Sequence, residues 1–150
     1  MLYPETIFVK ILLPTAPYLT LEKAMVEVPT QKGPYMILPR RAPTIMTLTD
    51  GVVKLFETEK SEPEKYFISG GIVKVRDNGC SILVNRVLPF AKADLNAVKK
   101  ELQDLEKTFV EDAKQYKNDS SYPHIHREKL QNDKRAFLNM VAGYLEKTSA

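Results

Sequence analysis

The sequence predicts a two-part chain: a β-sandwich or barrel over residues 1–88, then an antiparallel α-helical hairpin over residues 89–150. Three observations carry this reading. Eight of the ten prolines and five of the six glycines fall before residue 89. The apolar period changes from two residues to three and four near Leu88 to Lys92. Beyond Pro89 the chain is rich in Lys, Glu, Ala and Leu, which favour helices over strands.

The first half reads as short strands separated by turn signals, the pattern of a sandwich or barrel. Ile7, Val9, Ile11 and Leu13 recur with period two, as do Ala24, Val26 and Val28, so each set marks a half-buried strand. Further strands are expected at Met36 to Leu38, Thr44 to Leu48, Val52 to Glu57, Tyr66 to Ser69, Ile72 to Arg76 and Cys80 to Asn85. Asn78-Gly79 separates the last two and predicts a type I′ hairpin turn, whose central residues both need positive φ. Asp50-Gly51 gives a second turn signal before Val52.

In the second half, Leu95, Val98, Leu102, Leu105, Phe109, Ala113 and Tyr116 share one helical stripe, with Asp94 placed to cap it. Asn118 to Pro123 interrupts the pattern. A second run, from about Arg127 to Lys147, sets Leu130, Phe137, Val141, Tyr144 and Leu145 on one face. Two helices alone make a thin core, so the hairpin is expected to be marginal unless it docks on the sandwich or on a partner.

Composition narrows function. At 150 residues, 43% hydrophobic and 27% charged, the chain has a soluble globular composition, and no stretch approaches the ~20 apolar residues of a spanning helix. The 22 basic and 19 acidic residues are interspersed, which argues against a nucleic-acid partner. One cysteine and an N-terminus, MLYPETIFVK, without signal-peptide features lead us to expect a cytoplasmic chain.

No catalytic motif is present: GxxxxGK[ST], GxGxxG after a strand, HExxH and GxSxG are all missing. No catalytic residue, cofactor site or metal site is therefore expected. His124 and His126 are too few for zinc, Cys80 reads as a small buried hydrophobe, and Gly70-Gly71 reads as tight backbone packing. The Glu57 to Lys65 run reads as a solvated hairpin tip. The candidate binding element is Pro39, Arg40, Arg41, Ala42 and Pro43, a proline-flanked turn that holds two cations outward, with edge-strand protection as the competing explanation.

VEVPTQKGPYMILPRRAP (Val26 to Pro43), TDGVVKL (Thr49 to Leu55), YFISGGIVKV (Tyr66 to Val75) and CSILVNRV (Cys80 to Val87) follow in an order that resembles the epsilon subunit of bacterial and chloroplast F-type ATP synthases, called delta in mitochondria. The SGG element matches at Ser69, Gly70 and Gly71, and the LPxxAP element at Leu38, Pro39, Ala42 and Pro43. The resemblance implies a flattened sandwich of about ten strands with a helical hairpin. It also implies a non-catalytic rotor part, peripheral to the inner membrane at its cytoplasmic face. Its partners would be the gamma subunit, the polar loops of the c-ring and, through the hairpin, the alpha and beta subunits of the catalytic head. In bacterial members the hairpin can block ATP hydrolysis. By that resemblance Arg127, Lys129, Lys134 and Arg135 would face acidic residues of the head, the alternative being a solvated helix face balanced by Glu128 and Asp133.

Two departures stand out. Arg40-Arg41 replaces the Gly-His common in the family, and Leu95, Asn96, Ala97, Val98, Lys99 and Lys100 replace the I/L-D-x-x-R-A motif by which some members bind ATP. Loss of the arginine removes bidentate phosphate recognition, so ATP sensing is not expected. A nucleotide-binding regulator and a free-standing adaptor using LPRRAP remain as alternatives.

Overall fold

The computed structural model describes residues 5–115 and 122–148, without the side chains of 112, 113, 115 and 122–127. It divides into two units, residues 1–92 and 93–150.

The first unit is a sandwich of two five-stranded sheets, the architecture expected from the sequence. One sheet has the order β2 (Pro17–Lys23), β1 (Ile7–Leu12), β9 (Gly79–Val84), β8 (Gly71–Arg76), β5 (Thr44–Leu48). The other runs β10 (Val87–Pro89), β7 (Glu64–Ile68), β6 (Gly51–Phe56), β3 (Met25–Thr30), β4 (Gly33–Ile37). Neighbours pair antiparallel except β1 and β9, which run parallel. Ile7, Val9 and Ile11 from β1 meet Val26, Val28, Val53, Leu55, Val73, Val75 and Ile82 in a core made almost wholly of Ile and Val. These β-branched side chains fit the pleated surface, and the period of two sends every second one inward.

Two strand readings change. The run around Ala24 is split: Ala24 stands between β2 and β3 and donates its N–H to the carbonyl of Phe56. The edge strand β2 escapes sequence reading because Pro17, Tyr18 and Thr20 are exposed and only Leu19, Leu21 and Lys23 turn inward. The β8–β9 hairpin forms, but its corner is Asp77-Asn78, with φ of 50° and 60°, and not Asn78-Gly79. Arg76 pairs with Gly79, which leaves two residues for the turn, and Asp and Asn tolerate the left-handed region.

The first unit continues past Leu88. β10 pairs with β7, and a 3-10 turn, Phe90–Lys92, brings the Phe90 ring to 6.0 Å from that of Phe67.

The second unit holds α1 (Leu95–Gln115) and α2 (Tyr122–Thr148). Asp94 caps α1, its carboxylate accepting from the N–H of Asn96 at 3.1 Å. α2 begins earlier than about Arg127, because Pro123 falls in the first helical turn, where a missing N–H costs nothing. On α2 the buried stripe is Phe137, Leu138, Val141, Ala142 and Leu145, while Leu130, expected inside, is 49% exposed. Lys134 lies one turn before Leu138 on that stripe and is already exposed, so among the described side chains the buried face begins at Phe137. Among the described side chains of α1 only Val98 is buried, and Leu102, Leu105 and Phe109 are half-buried. Expected stripe members Ala113 and Tyr116 lie outside the described side chains.

Candidate functional site

The turn joining β4 to β5, residues 38–43, crosses from one sheet to the other. Arg40 adopts φ 66°, a left-handed conformation that costs an L side chain about 1–2 kcal/mol. Its N–H donates to Oδ1 of Asn78 at 3.1 Å, and Nδ2 of Asn78 donates to the carbonyl of Thr6 at 2.8 Å. One amide thus ties the turn, the β8–β9 corner and the entry to β1 together. The Arg41 guanidinium lies 5.1 Å from the centre of the Tyr35 ring on β4, within cation–π range. Beyond it, Oγ1 of Thr44 donates to the carbonyl of Ala42 at 2.8 Å. Arg40, Arg41, Ala42 and Pro43 are exposed and Pro39 is half-buried, so the turn presents two cations on a fixed backbone.

The hairpin residues sit on the other unit. Arg135 is committed to α1: its Nη2 lies 3.5 Å from Oε1 of Glu106, and its guanidinium lies 5.8 Å from the Phe109 ring centre. Lys99 and Glu146 make a second helix-to-helix pair at 3.3 Å. Lys134 is exposed, as is Lys129. Arg127 belongs to α2, but its side chain lies outside those described, as do those of His124 and His126.

Ser69, Gly70 and Gly71 serve the sandwich itself. Oγ of Ser69 accepts from the N–H of Arg86 at 2.9 Å, and Asp50 accepts from the N–H of Gly70 at 2.5 Å. A Cβ on Gly71 would stand 2.0 Å from the carbonyl oxygen of Leu83, so no larger residue fits between β8 and β9.

Lys23, which no sequence motif singles out, is 4% exposed. Its Nζ lies 2.5 Å from Oε2 of Glu57 and 3.1 Å from Oε1 of Glu64, fastening both ends of the β6–β7 loop. Burial is the largest single influence and lowers its pKa. The hydrogen bonds and charges of the two carboxylates together outweigh burial and leave it above the ordinary lysine value. A signal existed: Lys23 is in phase with Leu19 and Leu21, and the acidic run around Pro63 offers the counter-charges. Beside this pair, burial and then Glu64 raise the Tyr66 pKa.

Chemistry is sparse elsewhere. Burial pushes the Cys80 thiol up to about 12, which keeps it protonated and unreactive. Among the described residues no group of three or more His, Cys, Asp or Glu is arranged to hold a metal. Among the same residues no helix is long and apolar enough to cross a membrane.

Comparison with known proteins agrees with this geometry. The family model for the β-sandwich domain of the ATP synthase delta/epsilon chain matches residues 6–90. The ATP synthase epsilon chain of Rickettsia typhi is 28% identical over 104 residues, covering 69% of this chain and 94% of that one. That of Leptospira borgpetersenii is 36% identical over 87 residues, covering 58% and 67%. That of Rhodospirillum centenum is 31% identical over 94 residues, and the match spans 60% of this chain and 64% of the relative. Among solved structures, a chain of the Euglena gracilis mitochondrial ATP synthase superposes with a TM-score of 0.61 at 17% identity, covering 93% of this chain and 82% of its own. At that identity the likeness is one of fold.

Proposed function

Because the chain belongs to the ATP synthase delta/epsilon family, we propose that it is a non-catalytic subunit of the central stalk, turning with the gamma shaft and linking it to the c-ring. The observation that carries this reading is the match over residues 6–90, which coincides with the ten-stranded unit. The sandwich contributes a rigid body, and the 38–43 turn contributes Arg40 and Arg41 as fixed cations for polar or acidic loops of the c-ring. Guanidinium groups suit that task, since they stay charged and offer several donors in a planar array. As part of the complex the subunit sits at the cytoplasmic face of the inner membrane.

The hairpin is the regulatory element in this proposal. Its burial is concentrated near Val98 and Phe137 to Leu145, and two ion pairs between exposed side chains clip the helices together. Such pairs contribute little, about 0–1 kcal/mol each, so the cost of parting the helices lies in uncovering the apolar face from Phe137 to Leu145, which apolar contacts with the alpha and beta subunits would have to replace. At 27 residues α2 is about 40 Å long. Lys134, Arg135 and Arg127 would then meet acidic groups of the head, Arg135 exchanging Glu106 for a partner carboxylate.

The test is capture of purified gamma subunit and c-ring by the immobilised chain, with ATP hydrolysis by the assembled complex measured for the full chain and for a version ending at Lys92. Retention of gamma by both versions, with faster hydrolysis for the shorter one, supports both parts. Equal hydrolysis removes the inhibitory role, and failure to retain gamma removes the stalk assignment.

A further inference from the structure

Outward-facing lysines are treated differently on the two sheets. In the sheet that holds β3 and β6, Lys54 stands directly opposite Glu27, and the two charges close to 3.5 Å. In the other sheet Lys10 of β1 and Lys74 of β8 flank Ser81 of β9 in one cross-strand row, which Thr20 of β2 extends past Lys10. Both lysines are exposed, and neither has an ion-pair partner among the described residues. Ser81 is half-buried, and its hydroxyl and that of Thr20 have no hydrogen-bond partner among the described residues.

The adjoining row, Phe8, Gly79 and Arg76, has a glycine at its centre. With no side chain at Gly79 the face sinks into an open depression of about 500 Å³, lined by Phe8, Lys10, Thr20, Lys74, Arg76 and Ser81. The carboxylate of Asp77, which also borders it, is held by Nε of Arg76 at 3.2 Å. That of Glu22, opposite Phe8, accepts from Oγ1 of Thr6.

We propose that this depression binds a phosphoryl anion, either free phosphate or the phosphate end of an organic monoester. Adjacent strands lie about 4.8 Å apart, so Lys10 and Lys74 are anchored about 10 Å from each other with Ser81 between them. Their ammonium groups, on flexible stems, converge from opposite sides on an anion seated over the Ser81 hydroxyl, and Arg76 adds guanidinium donors from the adjoining row. A phosphoryl group carries three terminal oxygens and up to two negative charges, enough for two ammoniums and a hydroxyl, whereas a carboxylate brings two oxygens and one charge. Phe8, 53% exposed at the rim, offers apolar contact to the organic part of a monoester. The inference concerns the first unit alone and does not rest on the stalk assignment.

NMR titration of the amides of the full chain at constant ionic strength, with inorganic phosphate and separately with phenyl phosphate, tests it. Shifts should centre on Lys10, Lys74 and Gly79 to Ile82 and saturate with a dissociation constant of about 1 mM or lower. Lys74→Gln, which removes one charged hydrogen bond, should weaken binding at least about tenfold, and Ser81→Ala should weaken it less. Lys54→Gln, which removes the paired lysine of the other sheet, should leave it unchanged. Tighter binding of phenyl phosphate, with the preference lost in Phe8→Ala, identifies a monoester as the ligand, and equal binding of the two probes identifies the free anion. Shifts that grow without saturating, that centre elsewhere, or that Lys54→Gln reduces as much as Lys74→Gln would overturn the proposal.

Discussion

The backbone N–H of Arg40 donates to the side-chain amide oxygen of Asn78 at 3.1 Å, across 38 residues of sequence. Asn78 itself has φ 60° and also donates to the Thr6 carbonyl, so one residue fixes both the β8–β9 corner and the arginine turn. Asn78→Ala removes both side-chain bonds and the tolerance for left-handed backbone. We predict a loss of about 2 kcal/mol in denaturant unfolding, together with faster amide exchange at Arg40.

Arg40 adopts φ 66°, a left-handed conformation that glycine takes without steric cost. Arg40→Gly should therefore be neutral or stabilising by up to about 1 kcal/mol, the relief of backbone strain being partly offset by the greater chain entropy of glycine. The same change should weaken capture of the c-ring. Tighter capture after Arg40→Gly would show that the cation is not the reason for the strained residue.

Lys23 gives a pH prediction. Its folded pKa is raised, so its contribution is complete below the unfolded value of 10.5 and is lost as pH rises through the higher folded value. Lys23→Met keeps the volume and removes the bonds to Glu57 and Glu64. It should cost about 1–2 kcal/mol at neutral pH, a discounted value because both carboxylates are exposed to solvent. The difference between native chain and variant should stay constant to about pH 10 and shrink above it. A difference that grows with alkalinity would contradict the assignment.

Two glycines should respond in opposite directions. Gly71→Ala forces the β8 and β9 backbones apart, and we expect a loss of at least about 3 kcal/mol. Gly143 lies within α2, and a Cβ added there would meet nothing within 4 Å, so Gly143→Ala should stabilise the hairpin by about 0.5–1 kcal/mol. Thermal unfolding followed by circular dichroism resolves both.

The strands with alternating Ile and Val were legible because burial follows period two whatever the partner strand is. Lys23 and β2 were not, because an inward lysine has the period of a core residue and the chemistry of a surface one until Glu57 and Glu64 arrive from another strand pair. The Asp77-Asn78-Gly79 run offered three residues tolerant of positive φ, and only the pairing of Arg76 with Gly79 chose the first two. LPRRAP announced a proline-flanked turn, but the left-handed Arg40 and its staple depend on Asn78, which no local pattern reveals. On α2 the repeat predicted Leu130 to be inside, whereas among the described side chains Phe137 is the first that is buried.

Coupling of the rotor to proton flow is tested most directly by proton-driven ATP synthesis in inverted membrane vesicles stripped of the chain and then resupplied with it. Synthesis should fall on removal, return with the native chain, and return less fully with an Arg40→Ala, Arg41→Ala double variant. Synthesis that persists without the chain would contradict a coupling role.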